Sequence, residues 1–289
     1  MLSQQIVSGL AAGSLYALAA LGLVLIYKAT DVVNFAQGEM AMISTFICYT
    51  FLNMAGFSYW YAFLASLVFA ALFGMAVQRV FMRPIQKAPV LNQIILTLGL
   101  YMVFRGVAGL IWGYNPIRFP VAVSGEPVKF GGVTLTPNQL FIMGITVLLM
   151  LLVFLLFRFT KTGLAMRAAA QNLVTSQLMG IRVGTIFALT WGLSIALAGV
   201  AGVLIAPTTY LSPNMMMEVL IKGFAAAVLG GFASLPGVVA GGLLLGVLEN
   251  IVAGYISTEL KNAFVFLLII LILYIRPTGL FGAKLVKKV

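Results

Sequence analysis

Long unbroken runs of apolar residues, such as 141–157 and 263–275, narrow the folds open to this sequence more than any other feature. In hydrocarbon a backbone N–H or C=O without a partner is costly, so only helices and closed barrels span a bilayer. Barrel strands alternate lipid-facing and lumen-facing side chains, and these runs do not alternate. The chain therefore reads as an all-α, polytopic transmembrane bundle. A span takes roughly 20 apolar residues, so 289 residues hold about 8–10 spans with short connections and no separate soluble domain. The runs predict nine spans: 6–27, 34–53, 59–80, 91–112, 138–157, 184–206, 216–235, 237–256 and 260–275.

Only 8% of residues are charged against 62% hydrophobic, yet the net charge is +11. The basic residues sit between the apolar runs, so they read as topology signals and not as a nucleic-acid surface. Twelve of the seventeen fall in alternate connections: Lys28; Arg79, Arg83 and Lys87; Arg158, Lys161, Arg167 and Arg182; Arg276, Lys284, Lys287 and Lys288. The positive-inside rule places those connections in the cytoplasm, with the loop 113–137 and the N-terminus outside. Residues 1–5 lack a basic leader and no A-x-A site precedes Lys28, so the first run is expected to be retained. The single cysteine, Cys48, lies in an apolar run and reads as a buried small residue.

Lipid offers no hydrophobic drive between helices, and close packing then depends on small residues. Gly9, Gly13 and Ala17, Gly192 and Ala196, Gly223, Ala227 and Gly231, Gly237 with Gly241, and Gly242 with Gly246 are such sets. They predict helix contacts, not a ligand motif. Segments 9–26 and 192–205 are both small-residue-rich and open the two halves, which raises an internal duplication as a candidate architecture.

Polar residues inside apolar runs mark candidate function. The stretch 31–40, DVVNFAQGEM, carries Asp31, Asn34, Gln37 and Glu39. It reads either as a broken helix lining a substrate route, or as a cytoplasmic interfacial turn capped by Asn34. Arg105 and Glu249 lie inside other runs; they are candidates to pair with each other, or each snorkels to the interface. Glu218 and Lys222, spaced i, i+4, are expected to neutralise one another at a helix end. Asn34, Gln37, Glu39, Arg105 and Glu249 are thus the candidate pathway residues.

The basic connection 158–184 is too patterned for a loose loop. Thr162 is placed to cap a helix running to Gln171, and Thr175 a second turn that Gly180 ends. A structured basic elbow suits a partner surface better than an ordinary loop. No G-x-x-x-x-G-K-[ST] occurs, and there is no histidine. Neither a phosphate-cradling loop, a histidine metal site nor a His-dependent triad is therefore available, and an enzyme is not expected.

The chain resembles the permease subunits of binding-protein-dependent ABC importers for branched-chain amino acids. The likeness is carried by GLAAGSLYALAALGLVLIY from Gly9, NFAQGEMAM from Asn34, KTGLAMRAAAQN from Lys161, LMGIRV from Leu178, VLGGFASLPGVVAGGLLLGVLEN from Val228 and RPTGLFG from Arg276. It implies one transmembrane permease domain over 1–289 in a bacterial inner membrane, folded like type II importers. A related second permease, two cytoplasmic ATPase subunits that bind the ATP, and a periplasmic substrate-binding protein are the implied partners, with membrane lipid around them. Within 161–183 it implies a coupling helix, with Arg167, Gln171, Gly180 and Arg182 at the matching positions. Urea or short amides are alternative cargoes, and an ion-coupled secondary transporter is the alternative of another class.

Overall fold

The computed structural model describes residues 2–130, 132–232, 234–276 and 278–282. Among them are eleven α-helices and one short hairpin. Nine helices coincide with the predicted spans: α1 (Leu2–Thr30), α2 (Gln37–Asn53), α3 (Tyr59–Val77), α4 (Val90–Trp112), α5 (Pro137–Phe159), α8 (Val183–Thr209), α9 (Met217–Gly230), α10 (Leu235–Tyr255) and α11 (Lys261–Ile275). The elbow supplies α6 (Lys161–Gln171) and α7 (Leu173–Leu178). A π-helical turn, Gln78–Met82, extends α3. Lys284, Lys287 and Lys288 of the last basic group lie outside the described residues.

Among the described residues six helices are long and apolar enough to cross a membrane, α3 counted together with its π turn. The other three are shorter. At ~1.5 Å per residue, the 17 residues of α2 and 14 of α9 reach ~26 and ~21 Å, less than the ~30 Å of a hydrocarbon core. Both are nonetheless embedded: α2 packs among α8, α3 and α4, and α9 among α1, α10 and α11. Helices α1 and α8 are the buried centre of the bundle, whereas α3, α4, α5 and α11 turn Leu64, Leu72, Ile95, Leu110, Leu151 and Ile270 outward. Large apolar side chains on so wide a rim are the lipid-facing surface.

The small residues meet as predicted. A Cβ on Gly13 of α1 would lie 2.7 Å from the Gly242 carbonyl of α10, and one on Gly246 would strike the Gly13 backbone. Gly192 of α8 faces the Ala71 carbonyl of α3, and Gly223 of α9 lies against Ala19 and Ala20 of α1. Such backbone approach maximises dispersion contacts where water provides no drive.

These contacts also set direction. Gly22 of α1 faces Ser194 of α8, while Ala29, at the end of α1, clusters with Val183 and Ile186, at the start of α8. The two central helices are therefore antiparallel. The series α1, α2, α3, α4 and α8, α9, α10, α11 repeat one order, long, short, long and outer, with opposite sense. Their packing interchanges: α1 holds α9 and α10, and α8 holds α2 and α3. The two series are thus arranged as an inverted structural repeat. α1 and α8 even end alike, on Asp31 and Tyr210 in left-handed backbone at φ 55° and 61°.

One end of the bundle collects Lys28, Arg167 and the chain around Thr278 on one cavity. Gly74, just before Arg79 and Arg83, packs there on Trp191 and Gly192 of α8. This is the basic end. At the opposite end, the hairpin β1 (Val128–Phe130) and β2 (Val133–Leu135), registered Val128 to Leu135, is clamped by Gln4 of α1. The Gln4 amide donates to the Thr134 carbonyl and accepts from its N–H, both at 2.8 Å. Thr136 then closes α5 with a capping box to Gln139 ahead of Pro137.

Candidate functional site

After α1 ends at the basic face, the chain turns back in extended form, and α2 begins inside the bundle. The Gln37 amide donates to the Ala19 carbonyl at 2.8 Å and accepts from Ser194 Oγ at 3.3 Å, and Ser194 also donates to the Gly22 carbonyl at 2.7 Å. Ala19 lies eleven residues before the end of α1, or ~16 Å along its axis. The seven residues from Thr30 can span that distance at ~3.3 Å each. The stretch 31–36 therefore re-enters before α2 crosses the rest of the layer.

Asn34, Gln37 and Glu39 are all fully buried at this break. The interfacial-cap reading of Asn34 does not hold: α2 is capped at Ala36 without a side-chain bond, and Asn34 Oδ1 accepts instead from the Ala36 N–H at 3.1 Å. The chain needs Asn34 to satisfy a turn deep in the protein, where water is not available to do so. Glu39 keeps one carboxylate oxygen without a hydrogen-bond partner. Gly38 packs on Met216 and Leu220, so the first turns of α2 and α9 meet inside the bundle. Neither helix has a side-chain cap, and each has an acid in its first turn, Glu39 or Glu218.

Arg105 is not the partner of Glu249. Its guanidinium donates to Tyr101 OH at 2.6 Å and to Asn214 Oδ1 in the segment entering α9. That segment is also bridged by Leu211 to Ile117, beyond α4, so Arg105 ties α4 to the start of the second short helix. Glu249 belongs to a separate cluster on α10. Lys222 Nζ of α9 lies 2.7 Å from Glu249 Oε1, 3.4 Å from Glu218 Oε2 and 3.4 Å from Tyr16 OH of α1, with Lys261 of α11 4.0 Å from Glu249. Glu218 and Lys222 do pair as predicted, yet Lys222 is buried, not at a wet helix end. The pairing with Arg105 failed because α10 packs on α1 and α9, not on α4. Sequence reasoning missed Lys222 as the interior cation. The signal for it was a helix rich in Ala and Gly, which has to be buried on the face Lys222 occupies.

Two cavities flank these clusters. One of about 580 Å³ opens at the basic end beside Lys28, Asp31, Arg167, Gln171 and Thr190. One of about 610 Å³ opens at the opposite end between the first half of α1 and the start of α9, beside Tyr16, Asn214, Glu218, Lys222 and Lys261.

The elbow is helical as expected, with different caps. Thr160 Oγ1 accepts from the Gly163 N–H to start α6, and Asn172 Oδ1 accepts from the Thr175 N–H to start α7. An N-cap residue needs extended backbone outside the helix, which Thr160 and Asn172 have; Thr162 and Thr175 are already helical. Gly180, at φ 81°, does end the second turn. α6 turns Met166 and Ala169 inward onto Ala29 and Phe187. Leu164, Val174, Leu178 and Met179 remain exposed, Leu178 and Met179 by about four-fifths, alongside Arg167, Gln171 and Arg182.

Residues 5–273 match the family described as branched-chain amino acid transport system / permease component. Over 99% of this chain and 97% of the relative, it is 33% identical to the high-affinity branched-chain amino acid transport system permease protein LivH of Escherichia coli. With the same coverage it is 36% identical to the corresponding protein BraD of Pseudomonas aeruginosa. It is 32% identical to the probable branched-chain amino acid transport permease protein LivH of Methanocaldococcus jannaschii, over 93% of this chain and 89% of that one. Among solved structures, PsaBC from Streptococcus pneumoniae in complex with Fab aligns at TM-score 0.49 and 12% identity over 94% of this chain and 89% of that one.

Proposed function

Because this chain belongs to the branched-chain amino acid transport permease family, we propose that it forms half of the pathway carrying branched-chain or other hydrophobic amino acids across a bacterial inner membrane, driven by separate ATPase subunits. The family supports transport itself. The energy-coupling assignment rests on the elbow, where Leu178 and Met179 stand exposed beside Arg167 and Arg182 at the basic end. By the positive-inside rule that end is cytoplasmic, the side on which ATP is available. A second, related permease completes the route, and a periplasmic binding protein delivers cargo to the opposite end.

In this reading the break at α2 belongs to the route. Asn34 and Gln37 hold it open against helix formation, Glu39 and Arg105 supply charge beside it, and Glu249 anchors α10 through Lys222. Arg167, Gln171, Gly180 and Arg182 are the contact residues for the ATPase.

Reconstitution with the ATPase, partner permease and binding protein tests the proposal. ATP should drive leucine uptake, and Arg167→Glu or Gly180→Trp should lower it about tenfold or more, the value of a lost charge-assisted contact, without reducing insertion of the chain. Uptake by the isolated chain on an ion gradient would instead make it a secondary transporter.

A further inference from the structure

The cavity at the non-basic end joins two kinds of wall in one space. On one side are aliphatic groups from α1, α5, α8 and α9: Leu15, Ile142, Ile205 and Val219. On the other are Glu218, Lys222 and Lys261, with Glu249 just behind them. Taken together these four charges cancel, which suits neither a free anion nor a free cation. Their exposure is graded: the Lys222 and Glu249 side chains are 6% and 5% accessible, whereas Lys261 is 38% and Glu218 63% accessible. The inner pair is neutral in charge, and the outer acid and base keep open faces toward the cavity. The first turn of α9, without a side-chain cap, forms part of the same wall. Its N–H groups and the helix dipole favour a carboxylate. Glu249 Oε2 is buried without a partner, so the cluster holds an acceptor that its own residues do not use. The volume, about 610 Å³, falls within the ~300–1,000 Å³ of small-molecule sites.

We propose that this cavity is a binding site, within the single subunit, for a zwitterionic amino acid with an aliphatic side chain. The carboxylate lies between Lys261 and the first turn of α9, the ammonium on Glu218, and the side chain against Leu15, Ile142 and Ile205. This rests on the transport reading above and adds a place where cargo pauses inside one permease.

Cys48 is the chain's single cysteine and is buried, so Ser212→Cys puts a reactive thiol in the cavity wall. Ser58→Cys, in the exposed turn before α3, serves as the outside control. In proteoliposomes of the full complex, an impermeant cationic methanethiosulfonate labels both, read on this chain by mass spectrometry. L-leucine should slow labelling at position 212 about tenfold at roughly ten times its half-protecting concentration, by mass action, and leave position 58 unchanged. Leucinol, which lacks the carboxylate, and isovalerate, which lacks the ammonium, should not protect. Glu218→Gln should raise the half-protecting concentration about tenfold. Labelling indifferent to L-leucine, or slowed equally by isovalerate, overturns the site. Uptake by the unsubstituted complex, measured in parallel, separates the two readings: ATP-driven leucine uptake without protection removes only the cavity site, and absence of uptake removes the transport reading.

Discussion

Lys222 organises the charge of the non-basic half, because it reaches Glu249 on α10, Glu218 on its own helix and the Tyr16 hydroxyl on α1 at once. Its value is conditional. A buried pair gains little over apolar residues of the same shape, but either partner alone is an uncompensated charge. Lys222→Met should therefore destabilise the folded chain by about 3–5 kcal/mol, and Lys222→Met with Glu249→Leu should recover most of that loss. Thermal unfolding of the detergent-purified variants measures both, and equal loss in the double variant would refute the pairing. Five polar residues stood out in the apolar sequence, and four of them, Asn34, Gln37, Glu39 and Glu249, are fully buried. Their partners were not legible. Gln37 bonds to Ala19 and Ser194, and Arg105 to Asn214, across separations that no local spacing encodes.

At the scale of elements, helix positions followed from hydropathy and their ends from cap chemistry. The caps of the elbow were misread by two or three residues, since Thr160 and Thr162, or Asn172 and Thr175, offer equivalent side chains and only backbone conformation distinguishes them. Asn172→Ala should cost α7 about 1 kcal/mol and speed amide exchange through 173–178, whereas Thr175→Ala should leave exchange nearly unchanged. Hydrogen exchange read by mass spectrometry separates the two. The short helices carry a different lesson. α2 and α9 look like ordinary spans in composition, yet they start inside the bundle, because Gly38 and Gly223 let them press against α9 and α1. Their shortness is tolerable only where neighbouring helices, α8, α3 and α4 for the first and α1, α10 and α11 for the second, shield the re-entering backbone from lipid.

For the whole molecule, the inverted repeat brings two re-entrant segments, 31–36 and 210–216, in from opposite ends. It also makes orientation testable. With the basic end in the cytoplasm, cysteines at Ser58 and Glu126 should react with an impermeant reagent from outside intact cells, and cysteines at Gln86 and Gln177 only after permeabilisation. The reverse pattern would invert the topology and the side on which the elbow meets its partner. Apolar runs and their lengths were sufficient to establish a helical membrane protein and to place nine of its helices, because hydrocarbon penalises every unsatisfied backbone group locally. The glycine sets likewise announced close helix contacts. Which helices met, that α2 and α9 start head to head inside the bundle, and that Glu249 answers Lys222 and not Arg105 depended on the packed arrangement. Small-residue faces are interchangeable in sequence, and tertiary packing decides which of them meet.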